Sequence, residues 1–468
     1  MRSRILAAAV CVALGSSGIF AGTVGWRTDG TGRYPDAKPV TEWSTEKNVV
    51  WKTEMKLWPD SSKAHWSNST PVIVGDRLFV CAEPDTLVCV KLSDGSILWK
   101  KRNPLIETLS PEEGEALKAK MQEIDVAGKY GQMRKLESQA GRLRRQIRKS
   151  PNDEALKKQY QDLRTQISAL KEAVNPFINH MPSPAHNVNG HTSMTPVSDG
   201  RHVWAHFGPG VVACYDLDGN RKWIKFAERP RQGYGTSASP VLAGGKLLVH
   251  VNDMTALDAA TGEVQWKSRG LRHSWGTSLV TKIGDAEVLV TPGGDFVRIA
   301  DGKRIARSVS KLDYCAPLIE GGRIYYIQNG SGCVKVPDAA GDNIKPERVW
   351  RCTPKKDRYY SSPVLRDGLI YAINRNRTMS CLDAKDGKVI WEQNLSGKLG
   401  RGQAYPSITS AGDYIFVSSD DGTTLVLQPG REFKEIARNK LETFRSTPVF
   451  KGSRMYVRGY KHLWCVGK

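Results

Sequence analysis

Negative charge is scarce in this chain: 48 Asp and Glu stand against 69 Lys and Arg, a formal net charge of +21 over 468 residues. That imbalance favours a polyanion, an acidic membrane surface or an acidic cell-wall polymer as neighbour. Long apolar runs are missing too. After residue 21 no stretch is long and apolar enough to cross a membrane as a helix. Metal-ligand spacing is absent, with no Cys-x-x-Cys pair and no His/Cys cluster. His186 and His191 lie in an irregular, Asn-rich segment and read as structural. Neither a Gly-x-Ser-x-Gly element nor a Gly-rich phosphate loop occurs, so the common signals for a nucleophilic serine and a nucleotide cradle are lacking.

What is present is a repeat. Residues 361–392 hold four short apolar runs separated by polar turns at Asp367-Gly368, Asn374 to Arg377 and Asp386-Gly387. Such a pattern is a four-stranded antiparallel meander. So small a sheet cannot bury its own faces and should be one unit of a stack. Its Pro-Val start recurs around Pro71, Pro196, Pro240, Pro317, Pro406 and Pro448, and Leu279 fills the gap. Counting from Pro196, successive starts lie 38 to 46 residues apart, the blade period of a propeller. With Pro71 there are eight. The Gly-x-x-x-Trp ending recurs at Trp99, Trp223, Trp266 and Trp391.

Two stretches carry a family likeness: 255–266 (TALDAATGEVQW) and 381–391 (CLDAKDGKVIW). They resemble the pyrroloquinoline-quinone-type propeller repeat, whose pattern ends in Ala-Leu-Asp, a turn, Thr-Gly-Lys and Trp. The resemblance covers nearly everything from Trp43 onward apart from one insertion. It implies an all-β fold: an eight-bladed β-propeller of four-stranded antiparallel blades with an inserted α-helical coiled-coil hairpin. It also implies that Trp99, Trp223, Trp266 and Trp391 dock between blades. Quinone-dependent dehydrogenases share this repeat with non-catalytic propellers such as the outer-membrane barrel-assembly lipoprotein. The dehydrogenases use adjacent cysteines, a stacking Trp and a calcium held by Glu, Asn and Asp. This chain has no adjacent cysteines and no stretch matching those ligands or the catalytic Asp. The loop from Asp216 to Asn220 looks like a metal loop but coincides with the turn before Trp223. The expected function is therefore an exported, non-catalytic binding or scaffolding platform for an envelope protein or anionic polymer, with no cofactor. The alternative is a quinone-dependent oxidoreductase with a divergent site holding the quinone and calcium.

The domain reading divides the chain at 1–21, 22–102, 103–184 and 185–468. Residues 1–21 pair a basic start at Arg2 and Arg4 with an apolar run and small residues, a secretory signal. It predicts a periplasmic or extracellular monomer and argues against nucleic acid as partner; an uncleaved anchor is the alternative. Residues 22–102 hold a first blade and, around Trp51, a strand that supplies the fourth strand missing from the last unit. Residues 103–184 break the period. Ser110-Pro111 with Glu113 starts a helix, Gly128 and Gly131 are expected to break or kink it, and Ser150-Pro151 is expected to start another. Apolar positions at 3,4 spacing suit an antiparallel coiled-coil hairpin, either projecting or folded flat. Arg142, Arg144, Arg145, Arg148 and Lys149 crowd its tip as a candidate docking point.

Five of the nine cysteines, Cys89, Cys214, Cys333, Cys381 and Cys465, share the slot held by Ala256, so they are expected as separate, buried, unpaired thiols. Only Cys81 and Cys89 could meet across one hairpin. The residues just before each blade start should line the channel mouth. They are His65, Trp66, His191, Tyr234, His273, Trp275, Tyr314, Tyr359, Tyr360, Arg401, Tyr405 and Arg445, joined by Arg375 from a turn on the same face. Aromatic faces with Arg heads predict stacking or cation–π contact with an acidic or planar ligand.

Overall fold

In blade six, Val364–Arg366, Leu369–Ile373, Thr378–Asp383 and Val389–Asn394 form the expected meander. Its first turn has φ of +50° at Asp367 and +74° at Gly368, the double left-handed geometry that matches strand twist in a tight hairpin. The computed structural model describes residues 22–57, 67–181, 189–272 and 275–468. Seven further sheets repeat the meander, within 72–102, 197–226, 241–268, 279–306, 318–351, 409–440 and 449–466. The last contributes three strands of its own. Val49–Glu54 pairs antiparallel with His462–Val466 as its outer strand, Trp51 opposite Cys465, and closes the ring.

Buried apolar side chains between adjacent sheets form the core. Each outer-strand Trp faces the shared small-residue slot: Cys89 with Trp99, Cys214 with Trp223, Ala256 with Trp266 and Cys381 with Trp391. Its indole N–H then donates to a carbonyl of the next blade, from Trp99 to Leu217 at 3.0 Å and from Trp223 to Ala259 at 3.1 Å. Trp51 and Trp350 do the same toward Leu92 and Ala384. The five slot cysteines are buried and free, as is Cys81.

In the insertion, Pro111–Glu123 (α1) has the full capping box between Ser110 and Glu113. The helix breaks at Asp125 rather than at either glycine. Asp125 takes a left-handed φ of +46° and caps Val126–Lys149 (α2) through Gly128 N–H, while Gly131 stays inside α2. Likewise Asp153, not Ser150, caps Glu154–Val174 (α3), by accepting the Leu156 N–H. A carboxylate at the N-cap satisfies an otherwise orphaned donor, so it outweighs the proline signal. Met133, Ala140 and Ile167 bury the seam between α2 and α3. Tyr130 of α2 meets Arg229 in the loop after blade two, and beyond it the buried residues of α2 and α3 cover only one another, so the outer part of the hairpin projects. Its base is tied to blade two by Arg221–Glu107 (2.5 Å) and to the loop after that blade by Arg229 donating to the Met181 carbonyl (2.7 Å).

A segment outside the repeat crosses the channel. Val24 bridges Ser198 of blade two, and Arg33–Tyr34 adds parallel to Thr409–Ala411 on the inner edge of blade seven. Between them Arg27 is wholly buried and donates to the carbonyls of Pro363 (2.8 Å) and Ile408 (2.6 Å). Burial lowers its pKa to about 10. Gly32 sits so close that a Cβ would overlap the Arg27 guanidinium, and its φ is +71°.

Candidate functional site at the channel mouth

The first strand of each blade lines the channel, so the residue just before it faces the axis. A hydroxyl occupies that position or its neighbour in seven blades. Thr70 N–H donates to Thr195 Oγ1, Thr195 to Ser239 Oγ, and Ser239 to Thr277 Oγ1, at 3.0–3.2 Å. Beyond a gap the series resumes from Ala316 to Ser362, Ser362 to Ser407, Ser407 to Thr447 and Thr447 back to Thr70, at 2.9–3.2 Å. The gap falls where Ala316 has no hydroxyl. Seven of the eight blade junctions are thus clipped by a backbone donor and a side-chain acceptor. A hydroxyl that accepts an N–H keeps its own proton to donate.

Above this collar runs an aromatic arc. Tyr234 meets Trp275 edge-on at 6.4 Å, and Trp275 stacks on Tyr314 at 5.4 Å. Tyr314 meets Tyr360 edge-on at 4.9 Å, and Tyr360 stacks on Tyr405 at 4.6 Å. Arg445 lies 4.0 Å over the Tyr405 ring and is fixed by Asp420 at 2.9 Å. The Trp275 indole is held by the Gly235 carbonyl at 3.1 Å. Burial raises the Tyr314 pKa and pushes Tyr405 up to about 12, so both rings present neutral hydroxyls. Hydrogen bonding to Tyr360 raises the Arg358 pKa. On the remaining side Asn68 donates to Asn189 (3.2 Å) and Asn189 to the Tyr234 carbonyl (3.0 Å). These groups surround a cavity of about 300 Å³ that Trp26 of the crossing segment also lines.

The structure brings Tyr234, Trp275, Tyr314, Tyr360, Tyr405 and Arg445 together. It corrects the expected presentation, because most ring faces are spent on one another and Arg445 already stacks on Tyr405. A ligand meets ring edges, hydroxyls and the collar instead. Tyr359 is in the core, its hydroxyl donating to the Lys355 carbonyl at 2.8 Å, because neighbouring residues in extended chain point opposite ways. Arg375 is held by Asp357 at 3.1 Å, away from the cavity. Arg401 is exposed outside it, and its backbone N–H donates to Asp421. His191 lies behind the wall, its carbonyl accepting the Gly208 N–H. His65, Trp66 and His273 lie outside the described residues, as does residue 186. Sequence reasoning missed the collar, Asn68, Asn189, Arg358 and Trp26; the recurring Ser or Thr at each blade start was the available signal for the collar.

The described lining contains no carboxylate and no cysteine, and the described residues hold no group of three or more His, Cys, Asp or Glu able to grip a metal. It offers donors and neutral edges, which suit an acceptor-rich ligand.

The PQQ_2 family, described as outer membrane protein assembly factor BamB, matches residues 40–176, 179–306, 297–393, 338–430 and 375–466. The outer membrane protein assembly factor BamB of Moranella endobia (strain PCIT) is 22% identical over 282 residues, 58% of this chain and 60% of that protein. Its namesake in Salmonella typhimurium (strain LT2) is 32% identical over 95 residues, 18% of this chain and 24% of that one. The chain therefore spans at most 60% of the length of these curated relatives. A solved europium-containing methanol dehydrogenase superposes with a TM-score of 0.52 at 12% identity, over 92% of this chain and 89% of that one, which shows a shared fold.

Proposed function

The chain belongs to the PQQ_2 family, described as outer membrane protein assembly factor BamB, and on that premise we propose that it is a non-catalytic, exported propeller that binds an envelope protein at its channel mouth. One observation carries the reading. The cavity is lined by Trp26 of the crossing segment, walled by a self-stacked aromatic arc and ringed by hydroxyl donors, with no carboxylate or thiol in its described lining. A chain segment of a partner supplies carbonyl acceptors for those donors and apolar side chains for the ring edges. The N-terminal basic-apolar segment and the outer-membrane description of the family support export and a periplasmic setting.

The quinone-dependent alternative rests on the shared propeller fold. A planar quinone needs an open stacking face, and its calcium needs carboxylate and amide oxygens. Among the described residues the arc's faces are largely occupied and the lining has no carboxylate, so the residues do not fit that group.

Photo-crosslinking from position 360, against position 368 on the opposite Asp-Gly turn face, tests the proposal. Adducts with an envelope protein from 360 alone are expected, and Trp275→Ala or Arg445→Ala should weaken capture at least thirty-fold, equal to about 2 kcal/mol. Adducts from 368 alone overturn it. Purified protein that retains pyrroloquinoline quinone with calcium in stoichiometric amount favours the alternative.

A further inference from the structure

The hairpin plays no part in the channel mouth, and its tip is unlike the rest of the surface. Toward the base, helix charges compensate one another: Glu137 pairs with Arg134 (3.0 Å) and Lys171 (3.2 Å). Over the last two turns of α2 the pattern changes. Arg142, Arg144, Arg145, Arg148 and Lys149 are all exposed, and none forms an ion pair with a described residue. They stack like on like, Arg142 under Arg145, Arg144 and Arg145 under Arg148, and Arg145 under Lys149, at spacings where equal charges repel. The helix C-terminus offsets this repulsion only for the last turn. A merely solvated face would alternate signs, as the base does. Repulsion left standing within a helix is what an anionic surface would relieve.

The tip also lacks an apolar anchor: no large exposed hydrophobic residue lies in the hairpin. Protein interfaces centre on buried aromatic or aliphatic anchors, so a protein partner fits poorly. Four of the five tip cations are arginines, whose planar forks match phosphate oxygens. The 24 residues of α2 at about 1.5 Å each make a self-supporting arm of about 36 Å. We propose that the hairpin is a stand-off whose basic tip docks on the phosphates of an anionic lipid surface, by charge alone and without insertion, holding the propeller away from the bilayer.

The test is co-sedimentation of the full chain with phosphatidylcholine vesicles, alone or doped with phosphatidylglycerol. A variant with all five tip residues changed to Gln is the comparison; it retains the N-terminal apolar segment, so that segment contributes equally to both. Binding only to the doped vesicles is expected, weakening about five-fold per cation removed. It should also weaken as salt rises from about 0.1 M to about 1 M and the screening length falls from about 10 Å to about 3 Å. Circular dichroism confirms the variant's helices. Equal binding by the folded variant, or no preference for anionic vesicles, overturns the proposal. Retention on immobilised polyglutamate with the vesicles left unbound overturns it too, and assigns the tip to acidic polymers.

Discussion

Trp51→Ala should open the ring. The indole is 8% exposed, 5.9 Å from the Tyr456 ring, and donates to the Leu92 carbonyl of blade one at 3.2 Å. It lies over Gly95, whose φ is +77° and where a Cβ would come within 2.5 Å of the ring. Truncating a buried Trp costs about 3–5 kcal/mol. The upper end applies here, since the Leu92 carbonyl keeps only the longer bond from Arg454 (3.5 Å) and the cavity falls at the seam between blades eight and one, joined by distant parts of the chain. Trp51→Phe keeps a ring over Gly95 and loses only the hydrogen bond and some area, which should cost about 1–2 kcal/mol. Leu98→Ala, on an exposed outer-strand position (45%), should cost under about 0.5 kcal/mol. Urea unfolding followed by far-ultraviolet circular dichroism gives the series. If Trp51→Ala unfolds with the Leu98→Ala midpoint, the blade-eight seam is not what closes the propeller.

The buried thiols predict an alkaline limit. Burial pushes Cys89, Cys214, Cys381 and Cys465 up to about 12 and Cys333 to about 11, from an ordinary 9.0. The folded state therefore holds protons that the unfolded state releases, so this stabilisation is complete below pH 9 and is lost as pH rises from 9 toward 12. The urea midpoint should fall across that window, and iodoacetamide should label these thiols only after denaturation. Rapid labelling of the native protein at pH 8 would refute the buried slot. Replacing residues 110–174 by a short linker should leave the blades folded, with a cooperative unfolding transition near the parent's, because the hairpin core is built from its own side chains. A trimmed chain that aggregates would show the insertion to be part of the core.

The repeat was legible because every blade opens on a left-handed turn and six of the eight also carry a small residue on the third strand facing a Trp on the fourth. Trp350 escaped notice because its blade joins Gly332–Lys335 to Arg348–Arg351 through a longer loop, which removes the glycine four residues earlier. The crossing segment was illegible for a different reason. Thr23 to Tyr34 has no periodicity, and the partners that order Arg27 are carbonyls, which leave no mark in a sequence. At the mouth, composition indicated aromatic residues in nearly every blade, but only geometry shows that they stack on one another. Tyr359 and Tyr360 illustrate the limit: adjacent tyrosines, one in the core and one in the arc.

Arg27 also ties the order of synthesis to the order of folding. Its two carbonyl partners lie 336 and 381 residues further along the chain, and Trp51 must wait for Cys465 opposite it. Arg27 and Trp51 thus take their places only once blades six to eight are there to receive them. Until the eighth sheet exists, the wheel has no closed rim, and Val49–Glu54 has no strand to pair with. A chain cut short before His462 therefore leaves Val49–Glu54 without the strand it pairs with, and the rim stays open.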